Sequence, residues 1–102
     1  MRQTSRTLQE CATTARPAEV IAEAKRFFAR QNGIYSAFPE QESERHLTLR
    51  GQGGEEIALG VQEDGGGTRV TASSYLFDQQ VARFFASLPP VASDAASGGS
   101  PS

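Results

Sequence analysis

The sequence predicts an α+β domain with the element order β-α-β-β-β-β-α. Two segments place apolar residues three and four positions apart, as amphipathic helices do. Between them, apolar and polar residues alternate and glycine-rich turns interrupt the pattern, which favours an antiparallel meander. We therefore predict a five-stranded, mainly antiparallel sheet with both helices packed on one face.

The first predicted element is a strand from Thr7 to Thr13. This segment is rich in threonine, which favours extended backbone, and it places Leu8 and Ala12 on one side. We expect that side to face the core and the side with Gln9 and Cys11 to face outwards.

A helix is predicted from Pro17 to about Gln31. Proline is well accommodated at a first helical position, where its missing N–H has no helical partner. Asn32 and Gly33 tolerate the left-handed backbone that commonly ends a helix. The residues predicted to face the core are Val20, Ile21, Ala24, Phe27 and Phe28.

Four strands and a second helix follow. Ile34 and Phe38 bracket the second strand, which we expect Pro39 to end. The inward residues of the next three strands are predicted to be Leu47, Leu49, Ile57, Leu59, Val61, Val70 and Ala72. The inward residues of the second helix are predicted to be Phe77, Val81, Phe84, Phe85 and Leu88.

The chain has 102 residues, enough for one domain. We predict a frayed N-terminus over residues 1–4, the domain over 5–88, and a disordered tail over 89–102, which is rich in Pro, Ala, Ser and Gly. A net charge of -2 disfavours nucleic-acid binding, and no apolar run is long enough to span a bilayer. We expect a cytoplasmic protein because no segment resembles a signal peptide.

The sequence contains few groups that suggest chemistry. His46 lies near Glu42 and Glu44, and a carboxylate-oriented imidazole is a common general base, but no nucleophile can be placed beside it. Cys11 has no cationic neighbour in the sequence to activate it. The glycine-rich turns lead into strands rather than helices, and the acidic residues lack calcium-loop spacing. We predict no catalytic residue, no metal site and no cofactor.

The element order over Thr7 to Leu88 resembles a half-domain of the TATA-box-binding-protein fold and a shortened helix-grip domain of the START and polyketide-cyclase type. The resemblance implies that the first strand lies beside the last, which gives the strand order 2-3-4-5-1. The predicted open face lacks the basic and intercalating residues that read DNA. Five short strands also leave little volume for an enclosed ligand, so we carry over neither family's function.

We therefore expect a non-catalytic interaction domain, acting as a homodimer or as an accessory subunit of another protein. It would use the open sheet face or a free sheet edge. Arg50 and Arg69 are expected to meet Glu56 of a second copy across a two-fold axis. The candidate interaction residues are Tyr35, Thr48, Arg50, Ala58, Gly60, Gln62, Arg69 and Thr71, and Ala37 is placed on the same face.

An alternative function is a carrier of an apolar or amphipathic ligand, bound between the sheet and the helices. The residues predicted to line that site are Phe27, Phe28, Phe38, Phe84 and Phe85.

Overall fold

The computed structural model describes residues 7–31 and 33–91 and confirms the α+β class. The elements are β1 (Thr7–Thr13), α1 (Pro17–Ala29), β2 (Ala37–Glu42), β3 (His46–Gly51), β4 (Glu56–Asp64), β5 (Gly67–Ser74) and α2 (Asp78–Ser87), with a short 3-10 helix at Gly33–Tyr35. The sheet has the predicted order, β1-β5-β4-β3-β2, and every neighbouring pair is antiparallel. The predictions for residues 1–4 and for 92–102 lie outside the described residues.

The prediction that Pro39 ends the second strand is wrong. β2 continues through Pro39 to Glu42, with a bulge between Pro39 and Gln41. β2 is an edge strand, and a proline is tolerated there because its missing N–H need not pair with a neighbouring strand.

Helix α1 starts at the predicted position and ends two residues earlier than predicted. Pro17 is its first residue, and the backbone N–H of Arg16 donates a hydrogen bond of 2.8 Å to the Glu19 carboxylate. This bond satisfies a donor at the helix start, where no helical carbonyl is available.

Both helices bury their apolar sides against the same face of the sheet. Phe28 of α1 and Phe84 of α2 are fully buried, and their ring centroids lie 5.7 Å apart. Phe27 packs 5.5 Å from Phe84 and is only partly buried. The strand residues beneath them include Leu47, Leu49, Ile57, Leu59, Val61, Val70 and Ala72, as predicted.

The predicted orientation of β1 is wrong. Leu8 is 74% exposed, whereas Cys11 packs against the core. The side that carries Thr7 and Gln9 faces α2, because the Thr7 hydroxyl donates to the Asp78 carboxylate and the Gln9 amide donates to the Asp78 carbonyl. These two hydrogen bonds connect the start of β1 to the start of α2.

The ordered body extends beyond its predicted end at Leu88. The backbone N–H of Thr14 and the hydroxyl of Thr13 both donate to the Pro89 carbonyl, at 3.2 and 2.6 Å. Pro90 forms an antiparallel bridge with Thr13. Pro89 and Pro90 are therefore held against the end of β1 rather than belonging to a free tail.

Candidate interaction surface

The sheet face opposite the two helices, called the open face below, is the surface that the sequence predicted for interaction. Within residues 7–31 and 33–91, neither helix packs on it. Strand register assigns to this face Leu8, Glu10 and Ala12 of β1, Phe38 and Gln41 of β2, His46, Thr48 and Arg50 of β3, Glu56, Ala58, Gly60 and Gln62 of β4, and Arg69, Thr71 and Ser73 of β5.

The register brings together most of the predicted interaction residues. Those on the open face are Thr48, Arg50, Ala58, Gly60, Gln62, Arg69 and Thr71. Tyr35 is an exception, because it belongs to the 3-10 helix and its ring packs 5.9 Å from that of Phe77. Ala37 was also assigned to the wrong face, since it is fully buried.

Two exposed apolar residues of the open face were not predicted to lie there. Leu8 is 74% exposed on β1, and Phe38 is 49% exposed on β2, at the opposite edge of the sheet. Phe38 lies opposite Arg50 in the strand register, so it cannot line a site between the sheet and the helices. The bulge after Pro39 interrupts the alternation of inward and outward residues along β2, so this alternation does not indicate which face of the sheet carries Phe38.

The arginines of the open face already have carboxylate partners within the chain. Arg50 contacts Glu40 at 2.6 Å and Glu56 at 3.8 Å. The hydrogen bond to Glu40 raises the pKa of Arg50 above its ordinary value. Glu56 therefore has a cation within reach in its own chain, and the expected contact of Arg50 with Glu56 of a second copy stays a prediction.

Arg69 is held in the same way, by Asp64 and by Glu10, each at 2.9 Å. The hydrogen bond to Asp64, followed by that to Glu10, raises the pKa of Arg69. Exposed ion pairs of this kind contribute little to the stability of the fold. They do place a carboxylate beside each arginine, so the charge of the arginine is balanced within the chain before a partner binds.

The centre of the open face is made of small side chains. Gly60 lies between His46 and Thr71 with an unbroken register on both sides, so it does not mark a bulge. A Cβ atom at Gly60 would approach the Thr71 hydroxyl oxygen to 3.0 Å. The small residues leave a shallow depression of about 410 Å³ in the open face, beside His46 and Arg69.

The structure places the two groups that the sequence considered for chemistry, His46 and Cys11, in different surroundings. His46 is exposed on the open face. In the described part of the chain, histidine, cysteine, aspartate and glutamate side chains form no group of three that would hold a metal ion. Cys11 is partly buried, and burial raises the pKa of its thiol.

We expect Cys11 to react with iodoacetamide more slowly than an unfolded cysteine at about pH 8. The raised pKa lowers the fraction of reactive thiolate at that pH, and partial burial limits access. Mass spectrometry over a pH series measures the alkylation rate of Cys11. We expect the rate in the folded protein to approach the rate in a urea-unfolded control only at higher pH. Equal alkylation rates of the folded and the unfolded protein at about pH 8 would contradict the partly buried position of the Cys11 thiol.

Four of the five phenylalanines proposed to line a ligand site belong to the core between the helices or pack against it. Phe28 and Phe84 are fully buried, while Phe27 and Phe85 pack around them. A surface groove of about 790 Å³ lies between α1 and the chain at the end of α2, and of the predicted lining residues it includes only Phe27.

Comparison with known proteins does not assign the chain to a family. No protein-family model, curated protein or solved structure matches it. Neither helix in the described residues is long and apolar enough to cross a membrane. The surface geometry is therefore the basis for a functional proposal.

Proposed function

We propose that the protein is a small non-catalytic interaction domain that associates with a second copy of itself through the open face. The observation that carries this proposal is the exposure of Leu8 and Phe38 on a sheet face that neither described helix covers. Isolated exposed apolar residues are common on protein surfaces. Here, however, Leu8 and Phe38 border a continuous area of small and polar residues on the open face.

The composition of this area is compatible with a close, hydrated interface. Ala58 and Gly60 keep the centre of the face low, so that a second sheet can approach it. Arg50 and Arg69 bring their own carboxylate partners, which avoids burying an unpaired charge on association. Interfaces between independently folded proteins are commonly about as polar as the rest of the surface.

Replacing Ala58 with arginine is expected to weaken the association at least about tenfold, because a long charged side chain would project from the centre of the face. Sedimentation equilibrium at about 10–100 µM would show a lower apparent mass, with an unchanged circular dichroism spectrum. Ala86→Arg is the matched control, since Ala86 is exposed on α2, away from the open face.

Equal apparent masses for Ala58→Arg and the parent protein would show that the open face is not the contact. A parent protein that is monomeric throughout that range would also contradict self-association. Native mass spectrometry of the same samples tests the carrier alternative, because a bound organic molecule would appear as additional mass on the monomer.

A further inference from the structure

The groove between α1 and the chain at the end of α2, called the helix groove below, combines a charged stripe with apolar side chains beside it. The charged residues follow one another at helical spacing along α1 and share an arc of about 60°, at 100° per residue. They are Glu19, Glu23, Arg26 and Arg30, and all four are exposed. Ala22 and Phe27, on either side of the stripe, are only partly buried. A partner in the helix groove would therefore meet charged and apolar groups together.

The two signs of charge are separated along the stripe. Glu19 and Glu23 lie toward the N-terminal end of α1, whereas Arg26 and the capping residue Arg30 lie toward its C-terminal end. Glu23 and Arg26 contact each other at 2.6 Å within the chain. Among the described residues, no carboxylate lies within ion-pairing distance of Arg30. A stripe with this order of charges is complementary to the same stripe running in the opposite direction.

We propose that α1 packs antiparallel against α1 of a second copy, so that each helix lies in the helix groove of the other chain. In this contact Glu19 lies opposite Arg30 of the second copy, and Glu23 lies opposite Arg26. Because the axis between the copies is two-fold, each ion pair occurs twice. The helices and the open face lie on opposite sides of the sheet, so this contact is separate from the open-face contact proposed above and does not depend on it.

A single register satisfies all of these pairs. Both kinds of ion pair are centred at the same level of the helix, between residues 24 and 25, so both form when two antiparallel helices meet at that level. The same register brings Ala22 to the level of Phe27 of the second copy. A small residue at the level of a large one lets the helices approach closely and cover the exposed part of the ring.

Other alignments of the two helices lack this complementarity. A parallel arrangement in register sets each charged residue of the stripe against the same residue of the second copy. An antiparallel arrangement shifted by three residues sets Glu23 against Glu23, or Arg26 against Arg26, depending on the direction of the shift. A shift by four residues keeps only one of the two kinds of ion pair. Like charges that face each other across an interface disfavour association.

The contacts already present within the chain are compatible with this packing. A guanidinium group has five N–H donors, and a carboxylate accepts several hydrogen bonds. Arg26 and Glu23 can therefore keep their own ion pair while each binds the second copy. The Glu19 carboxylate accepts a hydrogen bond from the backbone N–H of Arg16 and has further lone pairs for Arg30 of the second copy.

A charge exchange in an Ala58→Arg background tests the helix contact in the absence of the open-face contact. Glu23→Arg and Arg26→Glu are each expected to weaken dimerisation at least about tenfold, because each creates two like-charge pairs across the axis. Mixing the two variants is expected to restore dimerisation, since their heterodimer regains opposite charges at both positions. Native mass spectrometry at about 10–100 µM separates the heterodimer from the homodimers, because the variants differ in mass.

Arg83→Glu is the matched control for Arg26→Glu. It makes the same change of charge on an exposed residue of α2 that does not line the helix groove, so dimerisation is expected to be unchanged. A chain that carries both Glu23→Arg and Arg26→Glu is expected to dimerise like the Ala58→Arg protein, because opposite charges face each other again. Thermal melting of each variant controls for folding.

These comparisons remain valid if the open-face proposal is wrong, since Ala58→Arg would then have no effect on association. The helix contact is wrong if Arg26→Glu weakens dimerisation no more than Arg83→Glu does, or if the mixture associates no better than the separate variants. An Ala58→Arg protein that is monomeric throughout the concentration range also overturns it. Additional mass on that monomer which Arg26→Glu removes would show that another molecule occupies the helix groove, and the proposal would again be wrong.

Discussion

Replacing Phe28 with alanine is expected to lower the free energy of unfolding by roughly 3–5 kcal/mol. Phe28 is fully buried, and its ring lies 5.1 Å from that of Phe27 and 5.7 Å from that of Phe84. Removing the ring leaves a cavity between both helices and the sheet. Because a whole domain is stable by only about 5–15 kcal/mol, the variant should be largely unfolded or melt at a much lower temperature.

Phe38→Ala is the matched control for this prediction. Phe38 is 49% exposed on the open face, so its removal is expected to change the free energy of unfolding by less than about 1 kcal/mol. Urea unfolding followed by circular dichroism measures both variants. Similar losses for Phe28→Ala and Phe38→Ala would show that the buried and exposed sides of the sheet are assigned incorrectly.

Ala37→Asp is expected to have the second large effect, a loss of roughly 3–5 kcal/mol. Ala37 is fully buried, and its strand partner Gly51 lies against Phe77. The short aspartate side chain would place a carboxylate among apolar groups without reaching solvent or a cation. Thermal melting should show a strongly destabilised protein.

Ala58→Asp makes the same chemical change on the open face, where solvent can reach the carboxylate. Its effect on the melting temperature is expected to be small. The sequence placed Ala37 and Ala58 on the same face of the sheet, whereas the structure places them on opposite faces. Equal stability of the two variants would favour the sequence-based assignment over the structure.

The candidate surface could be predicted on β3, β4 and β5 because those strands alternate strongly. Leu47 and Leu49 of β3, for example, are both buried, so Thr48 and Arg50 must face the other way. On β1 and β2 the same method failed. Both sides of β1 carry mixed side chains, and a bulge interrupts the alternation of β2.

The sequence by itself determined the two helices and the meander of four strands, because helical and alternating periodicity and short glycine-rich turns are local properties of the chain. The place of β1 beside β5 is not a local property and was expected only from the resemblance of the element order to known folds. Only the tertiary structure decided which sides of the two edge strands face the helices. For β1, hydrogen bonds to Asp78 and Pro89 from residues far away in sequence determine this orientation. A shift of one residue reverses the face of every side chain in a strand. Contacts between residues distant in the sequence decide that shift, so the local pattern could not predict that Leu8 and Phe38 lie on the surface.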